Sequence, residues 1–200
     1  PHDPPLSELG LKQAAEMADA VHAHNDEIHR IVCSPLIRCI ETATPIASKL
    51  GMKLCIDDSL REAGLIDDFS LPSLVERDLP VLDLEYEATF IPDLHKVKRK
   101  VLEHRVANEN VLIVTHAACV VGIVAAMLEC KISDVSPAAP AAVFKLSRDA
   151  STGKWTSVVQ KCTRHLSELG GTKAWPRGGT LGSRDFISVG DDLTWQQHEC

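Results

Sequence analysis

Residues 28–51 read IHRIVCSPLIRCIETATPIASKLG, and this stretch decides the fold. Ile28 to Cys33 is short and rich in β-branched residues, the composition of a buried strand. Ser34-Pro35 follows, offering an N-cap and a proline suited to the first helical position. Ile37, Ile40, Ala43 and Ala47 then recur at helical spacing as far as Leu50, where Gly51 supplies a stop. A strand therefore feeds directly into a helix, which is half of a parallel βαβ unit.

The same alternation extends outward on both sides. Upstream, Leu11, Ala14, Ala15, Ala18 and Val21 share one face of an amphipathic helix running from Ser7, its N-cap, to about His24. Downstream, Lys53 to Ile56 reads as a second short strand. Val111 to Thr115 is a strongly apolar strand expected to be central and buried, and it leads into an apolar helix from Ala117 to about Glu129. A polar helix is expected from Leu94 to Asn108. Val143–Leu146 and Trp155–Gln160 read as two strands that can pair as a hairpin around the polar turn Arg148 to Lys154. From Leu60 to about Asp93 the pattern loosens into an irregular insertion, and after Lys161 the chain becomes Gly-rich and weakly periodic. The pattern predicts one domain over residues 1–200: a three-layer α/β fold with a mostly parallel sheet, helices on both faces, a lid near 63–93 and an irregular tail near 162–200.

Bulk properties exclude several functions. With 200 residues and 44% hydrophobic content the chain suits one globular domain, and its longest apolar stretch, Ala117 to Leu128, is too short to span a bilayer. No membrane association is expected. A formal charge of −7 argues against direct nucleic-acid binding but leaves room for a small anion in a pocket where a few cations converge. Seven cysteines without CxxC spacing read as buried thiols of a reducing, cytoplasmic compartment. His22 and His24 lie at i and i+2 and face different directions, and Cys162 with His165 lacks a second ligand pair, so no metal site is expected.

Ligands of parallel sheets gather at the carboxyl ends of the strands. Three polar residues fall there. Arg38 lies in the first helical turn after Ile28–Cys33, Glu62 lies just beyond Lys53–Ile56, and His116 follows Val111–Thr115 and opens a helix whose N-terminus favours an anion. An arginine, a histidine and a helix terminus describe a phosphate pocket. Taken singly, Arg38 reads as a surface residue and His116 as a bonded core histidine, while Asp57, Asp58 or Asp67 could replace Glu62.

Four ordered segments resemble the histidine phosphatases, the phosphoglycerate-mutase-like superfamily. Asp3-Pro4-Pro5-Leu6-Ser7-Glu8-Leu9-Gly10 with Gln13-Ala14 is similar to D-x-P-L-[ST]-x-x-G…Q-A. Ser34-Pro35-Leu36-Ile37-Arg38 through Thr42-Ala43 is similar to S-P-x-x-R-x-x-x-T-A. Leu60-Arg61-Glu62 is similar to L-x-E, and Thr115-His116-Ala117 to [GT]-H-[GA]. The resemblance implies a phosphoglycerate-mutase-like fold and a phosphomonoester hydrolase working through a phosphohistidine, without metal or cofactor. Arg38 and His116 would bind the phosphoryl group, and Glu62 and His116 would be catalytic, Glu62 as general acid and then base. The ligand would be a phosphorylated small molecule or a phosphate ion.

The family's nucleophile sits in an Arg-His-Gly motif ending its first strand, upstream of the segment matched by Asp3 to Gly10, and no Arg-His-Gly occurs in the 200 residues. The expectation is a truncated chain that lacks that strand, whose place is beside Val111–Thr115, and that is inactive by itself. A non-catalytic phosphatase-like scaffold, or a subunit of a larger complex, is the alternative.

Overall fold

The computed structural model describes residues 3–24, 28–62, 84–87 and 109–169, the stretch 84–87 by its backbone. Helix α1 (Glu8–Ala23) starts at Ser7, whose side chain accepts a hydrogen bond from Gly10 N at 3.2 Å. Strand β1 (Ile28–Cys33) leads to α2 (Ile37–Leu50), and β2 (Leu54–Asp57) ends in a 3-10 turn, Asp58–Leu60. After β3 (Leu84–Glu87) come β4 (Asn110–Val114), α3 (Ala117–Leu128), and the strands β5 (Val143–Arg148) and β6 (Trp155–Cys162).

Strands β3-β2-β1-β4 form, in that order, a four-stranded sheet with every pair parallel. Period-2 alternation gives it two apolar faces. Ile31, Cys33, Leu54, Ile56, Leu112 and Val114 point toward α1 and α2, where they meet Met17, Ala18, Ile40, Ala43 and Ala47. Val32, Cys55, Val111 and Ile113 point the other way, toward Cys119, Ile123 and Met127 of α3. Helices therefore cover both faces, as the strand–helix alternation predicts. Among the described residues no helix is long and apolar enough to cross a membrane.

Several expectations need correction. Helix α2 begins at Ile37 with Leu36 as its N-cap residue, two positions later than the Ser34-Pro35 reading, and Ser34 uses its hydroxyl elsewhere. Pro45 sits inside α2, where Thr42 and Thr44 donate their hydroxyls back to the carbonyls of Arg38 and Ile40 at 2.8 and 2.7 Å. The expected irregular insertion contains a strand: β3 lies parallel to β2 with Leu54 opposite Leu84. Its alternation, Leu-Glu-Tyr-Glu, is only four residues long and too short to stand out from an acidic context. Strand β4 is not central among the described residues. It is the sheet's edge and only half-buried, because β1 is its one hydrogen-bonded neighbour there. Not every thiol is buried, since Cys130 is exposed and Cys55 half-exposed.

Strands β5 and β6 pair antiparallel as a separate two-stranded sheet. Val143 packs with the α1–α2 layer of the main sheet and Leu146 with the α3 layer, so the hairpin adds to both apolar layers. Residues after β6 cross α1: Ser167 N donates to Glu16 Oε2 at 3.1 Å, and Gln13 Nε2 donates to Glu168 O at 3.0 Å. The expected lid (apart from β3), the polar helix Leu94–Asn108 and the tail from residue 170 lie outside the described residues.

Helix α2, which carries Arg38, ends at Gly51 in the left-handed region (φ 63°), and nothing lies within 4 Å of the place a Cβ would take. Gly51→Ala is expected to cost about 1 kcal/mol through backbone conformation alone. A urea titration checks this as a lower midpoint with an unchanged slope; an unshifted midpoint contradicts it.

Candidate active site

The pairing register sets the site. Cys33, the last residue of β1, lies opposite Ile56 of β2 and Val114 of β4, so the three parallel strands end at one level. Ser34 N then donates to Val114 O at 2.9 Å and extends the alignment one residue. Beyond this rim come α2 with Arg38, the turn leading to Glu62, and His116 at the N-cap of α3.

The turn is built to hold its course. Asp57 is fully buried and accepts from Ser59 N at 2.8 Å, and Arg61 pairs with Asp58 at 3.0 Å. Thr115 donates its hydroxyl to Leu60 O at 2.7 Å, and Cys119 Sγ donates to Arg61 O at 3.1 Å. Asp57 and Asp58 are thus committed to the turn. The carboxylate that reaches the rim is Glu62.

Arg38, Glu62 and His116 meet there. Arg38 Nη2 donates to Glu62 Oε2 at 2.5 Å, and the same oxygen lies 4.0 Å from His116 Nδ1. The other side of the guanidinium, Nη1, donates to Asp3 Oδ1 at 3.3 Å. Each of the three residues comes from a different strand end, which is why no short sequence window contains them.

His116 is buried, and its Nε2 lies 2.8 Å from Ser34 Oγ and 3.6 Å from Cys39 Sγ. Burial, and secondarily the nearby Arg38 charge, push its pKa down to about 3. The imidazole is therefore neutral, with one N–H to give and one lone pair to offer. Burial likewise pushes the Cys39 thiol up to about 12 and raises Cys33, so neither is a thiolate near neutral pH. They act as buried packing groups.

Sequence reasoning placed the charged groups but missed two neighbours. Ser34, read as a helix cap, is a completely buried hydroxyl against the His116 ring. Asp3, read only as part of a helix-start motif, reaches Arg38 from 35 residues away. The signal available for Ser34 was its position at the end of an apolar strand; for Asp3 there was none beyond the motif. His2 and Asp67 lie outside the described residues. Among the described residues no group of three or more His, Cys, Asp or Glu is arranged to hold a metal ion.

The His116 environment has a measurable consequence. Its folded pKa lies below the ordinary value of 6.5, so between pH 6.5 and about 3 the unfolded chain binds a proton that the folded chain refuses. The stability that depends on neutral His116 is fully present above pH 6.5 and is lost as pH falls through that window. His116→Gln is expected to lose less stability than the wild type on acidification from pH 6.5 to 4.5, read by urea unfolding at each pH; equal losses count against the assignment.

Comparison with known proteins gives a family match and a set of structural neighbours. Residues 1–78 match the family model of the histidine phosphatase superfamily (branch 1), a span that includes Arg38 and Glu62. Mycobacterial glucosyl-3-phosphoglycerate phosphatase, solved with inorganic phosphate, is 22% identical with a TM-score of 0.60, covering 82% of this chain and 91% of that one. Phosphoserine phosphatase from Entamoeba histolytica, solved with 3-phosphoglyceric acid, is 18% identical with a TM-score of 0.58, covering 82% and 87%. YhfR from Bacillus stearothermophilus is 19% identical with a TM-score of 0.60, covering 82% and 88%. A search of curated proteins found no match. At these identities the structural likeness is one of fold, and residues 1–78 separately resemble the histidine phosphatase superfamily.

Proposed function

We propose that this chain is the greater part of a single-domain phosphomonoester hydrolase that works through a phosphohistidine, with Arg38, Glu62 and His116 as its visible pocket. The observation that carries the reading is their convergence: one Glu62 oxygen lies 2.5 Å from Arg38 Nη2 and 4.0 Å from His116 Nδ1. Neighbours of the same fold bear phosphatase names, and one of them, the mycobacterial glucosyl-3-phosphoglycerate phosphatase, was solved both with inorganic phosphate and with VO3. The substrate is a small phosphate monoester, and the free buried thiols suit a cytoplasmic setting.

In this mechanism a histidine nitrogen attacks phosphorus while the ester oxygen leaves with a proton from Glu62. Water then attacks the phosphohistidine, Glu62 takes the water proton, and inorganic phosphate is released. Arg38 neutralises two equatorial oxygens, and neutral His116 donates a hydrogen bond to a third. No Arg-His-Gly occurs in residues 1–200, so on this proposal the attacking histidine is supplied from outside them. A strand laid beside β4 would bring it to the rim, a placement supported by the second edge of β4, which has no strand partner among the described residues.

The test is to express the natural gene product with whatever sequence precedes Pro1, and residues 1–200 alone, and to assay both with an aryl phosphate. The longer protein is expected to turn over and to form an acid-labile, base-stable phosphoenzyme, and its Arg38→Ala variant to lose about 10²–10³-fold in kcat/KM. The shorter chain is expected to be inactive. His116-dependent turnover by residues 1–200 alone overturns the proposal, and a longer protein with no phosphoenzyme points to the scaffold reading.

A further inference from the structure

The Arg38 guanidinium is held between two carboxylates, and they are held unequally. Asp3 accepts from Ile37 N at 3.0 Å through each of its oxygens, as well as from Arg38 Nη1 at 3.3 Å. Glu62, among the described residues, accepts only from Arg38 Nη2. The side chain of Asp3 is 11% exposed and that of Glu62 24%. Leu36, at the N-cap of α2, makes no side-chain cap bond. Asp3 therefore serves as the N-terminal cap of a 14-residue helix from 34 residues away, with its charge at the favourable end of the helix dipole. A second bond fixes the same arm further along α2, where Leu6 N donates to Glu41 Oε2 at 2.6 Å.

An oxyanion arriving at Arg38 must replace one of these carboxylates. Displacing either carboxylate breaks an ion pair with Arg38, but displacing Asp3 would also strip the Ile37 N–H of its acceptor. We infer that Asp3 is a positioning residue for phosphate binding: it fixes the Nη1 side of Arg38 and leaves the Nη2 side, vacated by Glu62, to the phosphate. Asp3 adds a negative charge near an anion site, so its effect is a contest between repulsion and orientation. The inference is that orientation prevails. It rests on the phosphate pocket of the proposed function and adds a residue to which that reading gave no role.

The natural gene product is titrated with inorganic phosphate by calorimetry, as wild type, Asp3→Ala, Asp3→Asn, Arg38→Ala and the double variant Asp3→Ala/Arg38→Ala. Asp3→Ala is expected to weaken phosphate binding about tenfold, the loss of one charge-assisted hydrogen bond. Asp3→Asn, which keeps an acceptor for Ile37 N, is expected to recover part of it. In the Arg38→Ala background Asp3→Ala is expected to leave affinity unchanged while still lowering the melting temperature, which separates orientation of Arg38 from capping of α2. Unchanged or tighter binding by Asp3→Ala, or an equal loss in both backgrounds, overturns the positioning role alone. Absence of phosphate binding by the wild type overturns the pocket and this inference with it.

Discussion

Cys33 lies opposite Ile56 on one side and Val114 on the other, and because both pairings are parallel the three strands leave the sheet in the same direction at the same height. Everything at the rim depends on that register. A one-residue slip of β2 would turn Leu54 and Ile56, both essentially unexposed, away from the α1–α2 layer and send Cys55 into it. The hydrophobic cost of such a slip is what holds Glu62 within reach of Arg38. The site thus inherits its precision from apolar side chains that never touch it.

The rim combines two kinds of electrostatic order. His116 is kept neutral by burial and held at Ser34, so it brings a dipole to the pocket without a charge. Arg38 is matched by carboxylates on both sides. A lone guanidinium at this partly buried rim would be free to choose rotamers; pinned between Asp3 and Glu62 it has a defined plane. Under the proposed mechanism Glu62 is both the stand-in for the phosphate and the proton carrier, so its displacement and its chemical role would be one movement.

Much of this was legible in sequence because strand-to-helix junctions announce themselves locally. Ile28–Cys33 and Val111–Thr115 are apolar runs followed at once by helical spacing, so Arg38 and His116 could be assigned to the rim from a few neighbouring residues each. What was not legible depends on residues distant in sequence. Ser34 looked like a helix cap because its neighbour is proline, yet its hydroxyl turns to a histidine 82 residues away and the helix starts later. Asp3 caps that helix instead. Strand β3 escaped notice since two of its four residues are glutamates, and it is recognised only by its partner β2. In each case a local propensity was outweighed by a long-range contact.

Strand β4 shows the same conflict in reverse. Its apolar residues serve both layers, Val111 and Ile113 toward α3, Leu112 and Val114 toward α1 and α2, which is the composition of a strand with neighbours on both sides. Among the described residues it has a neighbour on one side only, and it is half-buried as a result. An apolar edge of this kind invites pairing. Val143 of β5 joins one of these layers and Leu146 the other, although β5 bonds to β6 and not to the four-stranded sheet.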